Sequence, residues 1–177
     1  MEESKWLERL SANSADPRRS SSIREVCNFV GFARNNPLRQ VHGKIEIRTT
    51  GRGLHPCERE LARWLEQEAH AADGLLTLFI QHTSAGLVVQ ENADPAVRTD
   101  LDRWLSRLVK DGDPLFEHTA EGPDDMPSHI RAALTQTQLT VPVRAGTMVL
   151  GTWQTIYVFE HRVRPHSRTI ALHYLGE

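Results

Sequence analysis

Two observations predict an α+β fold for this chain: a single compact domain with a mixed, largely antiparallel sheet packed against helices. First, strand-like segments come in pairs and then in a run of four, in the order β-α-β-β-α-α-β-β-β-β, which lacks the strict alternation of a doubly wound parallel sheet. Second, 177 residues with 39% hydrophobic and 25% charged side chains suffice for one substantial core.

Residues 1–38 stand apart as an N-terminal extension expected to be poorly ordered, and 39–177 form the domain. The extension carries Pro17-Arg18-Arg19-Ser20-Ser21-Ser22 and Asn35-Asn36-Pro37, both loop-like in composition. Val41, Gly43, Ile45 and Ile47 then alternate with His42, Lys44, Glu46 and Arg48, which predicts a half-buried strand. Pro56 is expected to open a helix bearing Leu61, Trp64, Leu65 and Ala69 on one face. Gly74 ends that segment, and residues 75–81 read as a strand, with Leu87-Val88-Val89 as the next one. Asp94-Pro95 has the form of a helix start, with aspartate as cap and proline in the first position. Val97, Leu101, Trp104, Leu105 and Leu108 continue that helix as an apolar stripe. Residues 111–125 read as loop. Pro127 is expected to open a short helix to Leu134, capped by Asp125. Strands follow over 139–143, 147–151, 155–160 and 168–175, the first turn being Arg144-Ala145-Gly146.

Several function classes are excluded by composition. A net charge of −2 does not suit a protein that holds nucleic acid through its phosphates. No apolar run approaches the roughly 20 residues of a membrane-spanning helix. Cys27 and Cys57 have neither metal-site nor redox-motif spacing, and two cysteines make no disulfide framework, so a reducing cytoplasm is the expected setting. Glu2 and Glu3 precede any apolar run, unlike a secretory signal.

Chemistry concentrates between Gln81 and His129. His82 follows a strand, with Thr83, Ser84, Ala85 and Gly86 turning away from it; His118 lies in an acidic loop and His129 on a helix. Three imidazoles from three elements, with an open fourth position, suit a catalytic zinc ion or another first-row divalent ion. Residue spacing alone leaves open the alternative that these histidines hydrogen-bond within a polar interior or face solvent. Glu121, Asp124 and Asp125 have the chemistry to orient imidazoles, or to help hold Mg²⁺ on a phosphorylated substrate; helix capping is the competing account of Asp125. The Thr83-Ser84-Gly86 turn offers hydroxyl and N–H groups to an anion. Ser84 lacks the Gly-x-Ser-x-Gly context of a hydrolase nucleophile. Arg168 is suited to a bidentate phosphate contact, and Trp153, in Gly151-Thr152-Trp153-Gln154, to stacking on a flat heterocycle or to core packing.

These segments resemble the YjbQ family, also known as secondary thiamine-phosphate synthases. The matching motifs are Gln81-His82-Thr83-Ser84-Ala85, then Glu91-Asn92-Ala93-Asp94-Pro95 with Val97, Arg98 and Asp100, the block from Glu121 to Ile130, and Gly151-Thr152-Trp153-Gln154. Glu160-His161-Arg162 and the segment from Ser167 to Glu177 agree as well. Pro123 stands where the family usually has alanine, and nothing before about Leu38 has a counterpart. The resemblance implies a compact fold assembled as a homotrimer and a divalent metal, zinc above all, at His82, His118 and His129. Ser84 and Glu121 are the expected catalytic residues, and Thr83, Asn92, Trp153 and Arg168 the expected substrate contacts. The implied reaction joins hydroxymethylpyrimidine diphosphate to thiazole phosphate with release of pyrophosphate. A three-histidine metal site also fits activation of water or polarisation of a substrate oxygen. The alternatives are therefore a metal-dependent hydrolase or lyase on a phosphorylated small molecule, or a metal- or metabolite-binding trimer without turnover.

Overall fold

The computed structural model describes residues 37–177, and the expectation for the N-terminal extension lies almost wholly outside them. Eight strands and three helices are defined: β1 (Arg39–Arg48), β2 (Gly53–Pro56), α1 (Glu58–Gln67), β3 (Gly74–Ile80), β4 (Ala85–Glu91), α2 (Pro95–Leu108), α3 (Asp125–Leu134), β5 (Gln138–Arg144), β6 (Thr147–Met148), β7 (Gln154–Glu160) and β8 (Ser167–Gly176). The α+β expectation of antiparallel strands packed with helices holds, and the strands divide between two sheets. One has five strands in the order β1-β8-β3-β5-β6, and the other has three in the order β2-β7-β4. Every strand pair is antiparallel.

Alternation along β1 is borne out, with Ile47 buried between exposed Glu46 and Arg48. So is the start of α2: Asp94 accepts a hydrogen bond from the Ala96 N–H at 2.8 Å, and Pro95 takes the first helical position. Pro56 does not open a helix. It ends β2, an edge strand opposite Tyr157, where a missing N–H removes no bond from the sheet interior. Helix α1 therefore starts at Glu58. Asp125 does not cap α3 either; it is the helix's first residue, so its side chain is available for other partners.

The core lies between the sheets. Leu76, Leu78, Ile80, Ile170, Leu172 and Tyr174 come from the larger sheet, Leu87, Ile156 and Val158 from the smaller, and Leu61, Trp64 and Leu65 from α1. Full burial of each such aliphatic side chain is worth about 1.5–3 kcal/mol, so this cluster dominates the favourable side of folding. Strand β7 is buried along almost its whole length because the core covers one face and the helical layer the other. Among the described residues no helix is long and apolar enough to cross a membrane.

Two chain crossings position the site. Residues 81–84 pass from β3 in the larger sheet to β4 in the smaller. Residues 161–166 pass from β7 back to β8. Because Ala85 pairs with Glu160 and Ile80 with Ile170, the two crossings run side by side. The start of α3 packs against them, tied by the Val163 N–H donating to Asp124 Oδ2 at 2.9 Å.

Candidate functional site

An arginine organises the acidic loop. Arg162, itself buried, donates to Asp124 Oδ2 at 3.1 Å, to Glu121 Oε2 at 3.2 Å, to the Glu121 carbonyl at 2.9 Å and to Asp125 Oδ1. Burial works against ionised Asp124, but the Val163 N–H and Arg162 outweigh it and hold its carboxyl below the usual range. On Arg162 burial likewise opposes the charge, and the surrounding carboxylates raise its pKa all the same. One guanidinium thus gathers three carboxylates that would otherwise repel one another.

Asp125, only 2% exposed, faces two imidazoles. His118 Nε2 lies 2.8 Å from Asp125 Oδ2, and His129 Nε2 lies 3.6 Å from Oδ1. The two rings are 5.5 Å apart between centroids and tilted by 59°. Ligand atoms of His118, Asp125 and His129 all fall within 4.8 Å of one another, a spacing that one cation can bridge. Asp125 Oδ2 is buried and makes no hydrogen bond, despite the nearby ring nitrogen. Two ligand atoms about 2.0 Å from one tetrahedral ion are about 3.3 Å apart, between the 2.8 Å and 3.6 Å separations of the Asp125 oxygens from His118 and His129. The orphaned oxygen therefore fits a divalent cation shared with His118 and His129. The Nδ1 of His129 lies 3.0 Å from the Thr83 carbonyl, which must accept its N–H and so leaves Nε2 with a lone pair for a metal.

His82 sits outside that three-residue group. It lines an open cleft of about 520 Å³ together with Gln81, Thr83, His129 and Thr137. Its pKa is lowered by burial and then by Arg168. Its Nδ1 accepts from the Ser84 N–H at 3.2 Å and lies 3.0 Å from Ser84 Oγ. Among the described residues, the group with ligand-like spacing thus holds Asp125 beside His118 and His129, and His82 lies outside it.

Other expected site residues are distributed differently. Arg168, expected to clamp phosphate, is 1% exposed; Nε and Nη2 each lie 2.6 Å from a Glu160 oxygen, and Nη2 also donates to Ser84 Oγ at 3.1 Å. It underlies the cleft and presents no bidentate face to a substrate. Ser84 is 1% exposed, with its hydroxyl engaged by Arg168 and His82, so it is placed to support the turn and not to react. Glu121 stays on the exposed rim, held by Arg162. Thr83 is exposed beside His129. Gly86 is needed for another reason than an anion: a Cβ there would overlap the Thr135 side chain. Asn92 and Trp153 lie at the far end of β4 and β7. Six residues of strand, about 20 Å, separate the Ala85–Glu160 pair from the Glu91–Gln154 pair. Asn92 lines a second cleft, of about 500 Å³, with Glu58, Arg98, Thr155 and Tyr157. Trp153 is 62% exposed, so it belongs neither to the core nor to the histidine cleft of the same chain.

Two participants were not anticipated, Arg162 as organiser and Glu160 as the buried anchor of Arg168, while Asp125, expected either to cap the helix or to partner imidazoles and a cation, takes the second role. Glu160 had a visible signal, being a carboxylate that continues the apolar run Ile156-Tyr157-Val158-Phe159 and so needs a buried partner. Burial raises its pKa, but Arg168, the Arg162 N–H and Thr49 lower it further, leaving it ionised at neutral pH.

Comparison with known proteins places this arrangement. The model of the family described as "UPF0047 protein YjbQ-like" matches residues 43–177. The chain belongs to the YjbQ-like UPF0047 family. A UPF0047 protein of Synechocystis is 43% identical over 140 residues, 79% of this chain and 95% of that protein. The YjbQ protein of Escherichia coli O157:H7 is 41% identical over 133 residues, 75% and 96% of the two chains. A conserved hypothetical protein of Thermus thermophilus has a solved structure that superimposes with TM-score 0.65 at 31% identity, covering 73% of this chain and 97% of that one. A YjbQ/UPF0047 protein of Clostridium acetobutylicum superimposes with TM-score 0.67 at 26% identity, covering 75% and 98%. The YjbQ-like region thus contains every residue of the site, from His82 to Arg168.

Proposed function

We propose that this protein is a divalent-metal-dependent enzyme acting on a phosphorylated small molecule. The observation that carries the reading is the buried Asp125 carboxylate, whose Oδ2 makes no hydrogen bond although His118 Nε2 lies 2.8 Å away, with His129 facing the other oxygen. An orphaned buried carboxylate oxygen costs roughly 1–3 kcal/mol or more, and a cation at that point removes the cost. A divalent ion, zinc by the donor set, supplies Lewis-acid polarisation of a substrate oxygen when bound. Arg162 holds Asp125 and the acidic loop in place, the Thr83 carbonyl orients His129, and the open cleft beside His129 offers Thr83, Gln81 and His82 to the rest of the substrate. The resemblance names the reaction: attack of the thiazole-phosphate nitrogen on the methylene carbon of hydroxymethylpyrimidine diphosphate, with pyrophosphate leaving. Alignment of two anionic partners and stabilisation of the leaving group are the main requirements of that step. The same reading includes a homotrimer in the cytoplasm.

Purified full-length protein, metal-depleted and then loaded with Zn²⁺, Mn²⁺ or Mg²⁺, is to be assayed with both substrates for thiamine phosphate and pyrophosphate. Metal-dependent turnover that falls at least 100-fold in Asp125→Asn is the expected result. Metal content equal to wild type in both Asp125→Asn and His129→Ala removes the proposed centre. Metal binding with no turnover of these substrates keeps the centre and discards the thiamine reaction.

A further inference from the structure

His82 and His129 border one cleft, yet their hydrogen bonds demand opposite tautomers. At His129, Nδ1 meets a carbonyl oxygen, which only accepts; Nδ1 therefore carries the proton, and Nε2 is free to bind a cation. At His82, Nδ1 meets the backbone N–H of Ser84, which only donates; Nδ1 therefore accepts, and the neutral ring carries its proton on Nε2.

The surroundings of Ser84 reinforce that assignment. Ser84 Oγ accepts from Arg168 Nη2 at 3.1 Å, which leaves its own proton free for His82 Nδ1 at 3.0 Å. Arg168 is fixed in turn, because Glu160 accepts from its Nε and Nη2 at 2.6 Å in a fork-to-fork pair. Glu160 is itself held by the Arg162 N–H at 3.0 Å and the Thr49 hydroxyl at 3.0 Å. Glu160, Arg168 and Ser84 are all 1% exposed or less, so water does not compete for these bonds.

We propose that Glu160, Arg168 and Ser84 are positioning residues that hold His82 as its Nε2–H tautomer. In that form His82 is a neutral hydrogen-bond donor to an anionic oxygen of a phosphorylated substrate, and not a metal ligand. A protonated Nε2 has no lone pair for a cation, which agrees with the placement of His82 outside the His118–Asp125–His129 group. A fixed N–H aimed at a substrate oxygen stabilises charge that develops there without reorganising. The inference rests on the cleft being the substrate site of the proposed enzyme, but the tautomer itself does not depend on turnover.

Full-length protein labelled with ¹⁵N-histidine, without substrate, reports the tautomer directly in two-bond ¹H–¹⁵N spectra at pH 7.5, with His82→Gln supplying the assignment. The expected pattern is protonated Nε2 and bare Nδ1 at His82, and the reverse at His129. A bare Nε2 at His82 overturns the proposal. In Glu160→Gln and Arg168→Lys the two His82 nitrogen resonances should converge as the tautomers mix, whereas a purely structural pair leaves them in place and overturns the positioning role. Should these variants not fold, Zn²⁺ titration decides with milder changes: His82→Gln should bind within threefold of wild type, and Asp125→Asn at least tenfold more weakly. An equal loss in the two sinks the inference. Absence of metal binding in wild type refutes the proposed function instead, and the tautomer spectrum still judges His82.

Discussion

His161 shows how one buried side chain makes the whole molecule sensitive to acid. It is fully buried, its Nε2 lies 3.3 Å from Thr135 Oγ1, and its Nδ1 has no partner among the described residues. Burial, and then the nearby Arg131 charge, push its pKa down to about 3. In the unfolded chain the same ring titrates at about 6.5. Below that pH the unfolded state takes up a proton that the folded state refuses, so stability contributed above pH 6.5 is lost as pH falls towards 3. The slope is about 1.4 kcal/mol per pH unit for one fully titrating proton. Glu160 and Asp124, both held below the usual carboxylate range, add losses only below about pH 4. Urea unfolding followed by tryptophan fluorescence at pH 7.5, 6.0 and 5.0 should therefore show stability already falling by pH 6.0. In His161→Phe the curve should be distinctly flatter across this range, even if the variant starts less stable. An unchanged slope would mean that this ring is not held neutral.

Helix α1 packs its Trp64 indole directly over Gly43 of β1. A Cβ at Gly43 would overlap the Trp64 indole, which is itself 6% exposed in the core. Gly43→Ala should therefore cost about 1–3 kcal/mol, as overpacking does, and lower the melting temperature. In a Trp64→Leu background the same substitution should cost markedly less, and strictly additive losses in that cycle would show that the indole is not what excludes the methyl group. Gly43 was legible only as one of the inward positions of a strand; the indole it accommodates lies on another element. The same limit applies elsewhere. Alternation revealed β1, and Asp94-Pro95 revealed the start of α2, because both signals are local. Strand β2 escaped notice because its four residues are defined by pairing with β7, about 100 positions away. Pro56 therefore read as a helix opener. Similarly, His118 and His129 stood out by residue type, whereas Asp125 fitted both a helix cap and a partner of imidazoles, and only the fold decides, because Asp124 takes the N-cap position. Its role depends on Arg162, which arrives from the β7–β8 crossing.

The outer face of the five-stranded sheet has no cover within the described residues. Leu75 (45% exposed), Phe79 (48%) and Leu175 (36%) point outwards from β3 and β8, and the paired His42 and His173 rings stack on the same face at 4.5 Å. Phe79 also borders the His82 cleft, so this face and the proposed site are continuous. Exposed apolar side chains grouped on a sheet mark an interaction surface more often than isolated ones do. A cyclic homo-oligomer, the trimer of the proposed reading, would cover such a face with equivalent surface from its neighbours. Light scattering of the purified protein should then give about three times the 20.1 kDa chain mass. Phe79→Glu places a charge on that face without touching the core between the sheets, so it should yield monomers with an unchanged far-ultraviolet circular dichroism spectrum. If metal binding stays within threefold of wild type in those monomers while turnover falls, the ligands belong to one chain and the substrate cleft is completed by another. A trimer undisturbed by Phe79→Glu would place the subunit contacts elsewhere, on the Trp104 and Leu108 side of α2, where the next apolar cleft lies.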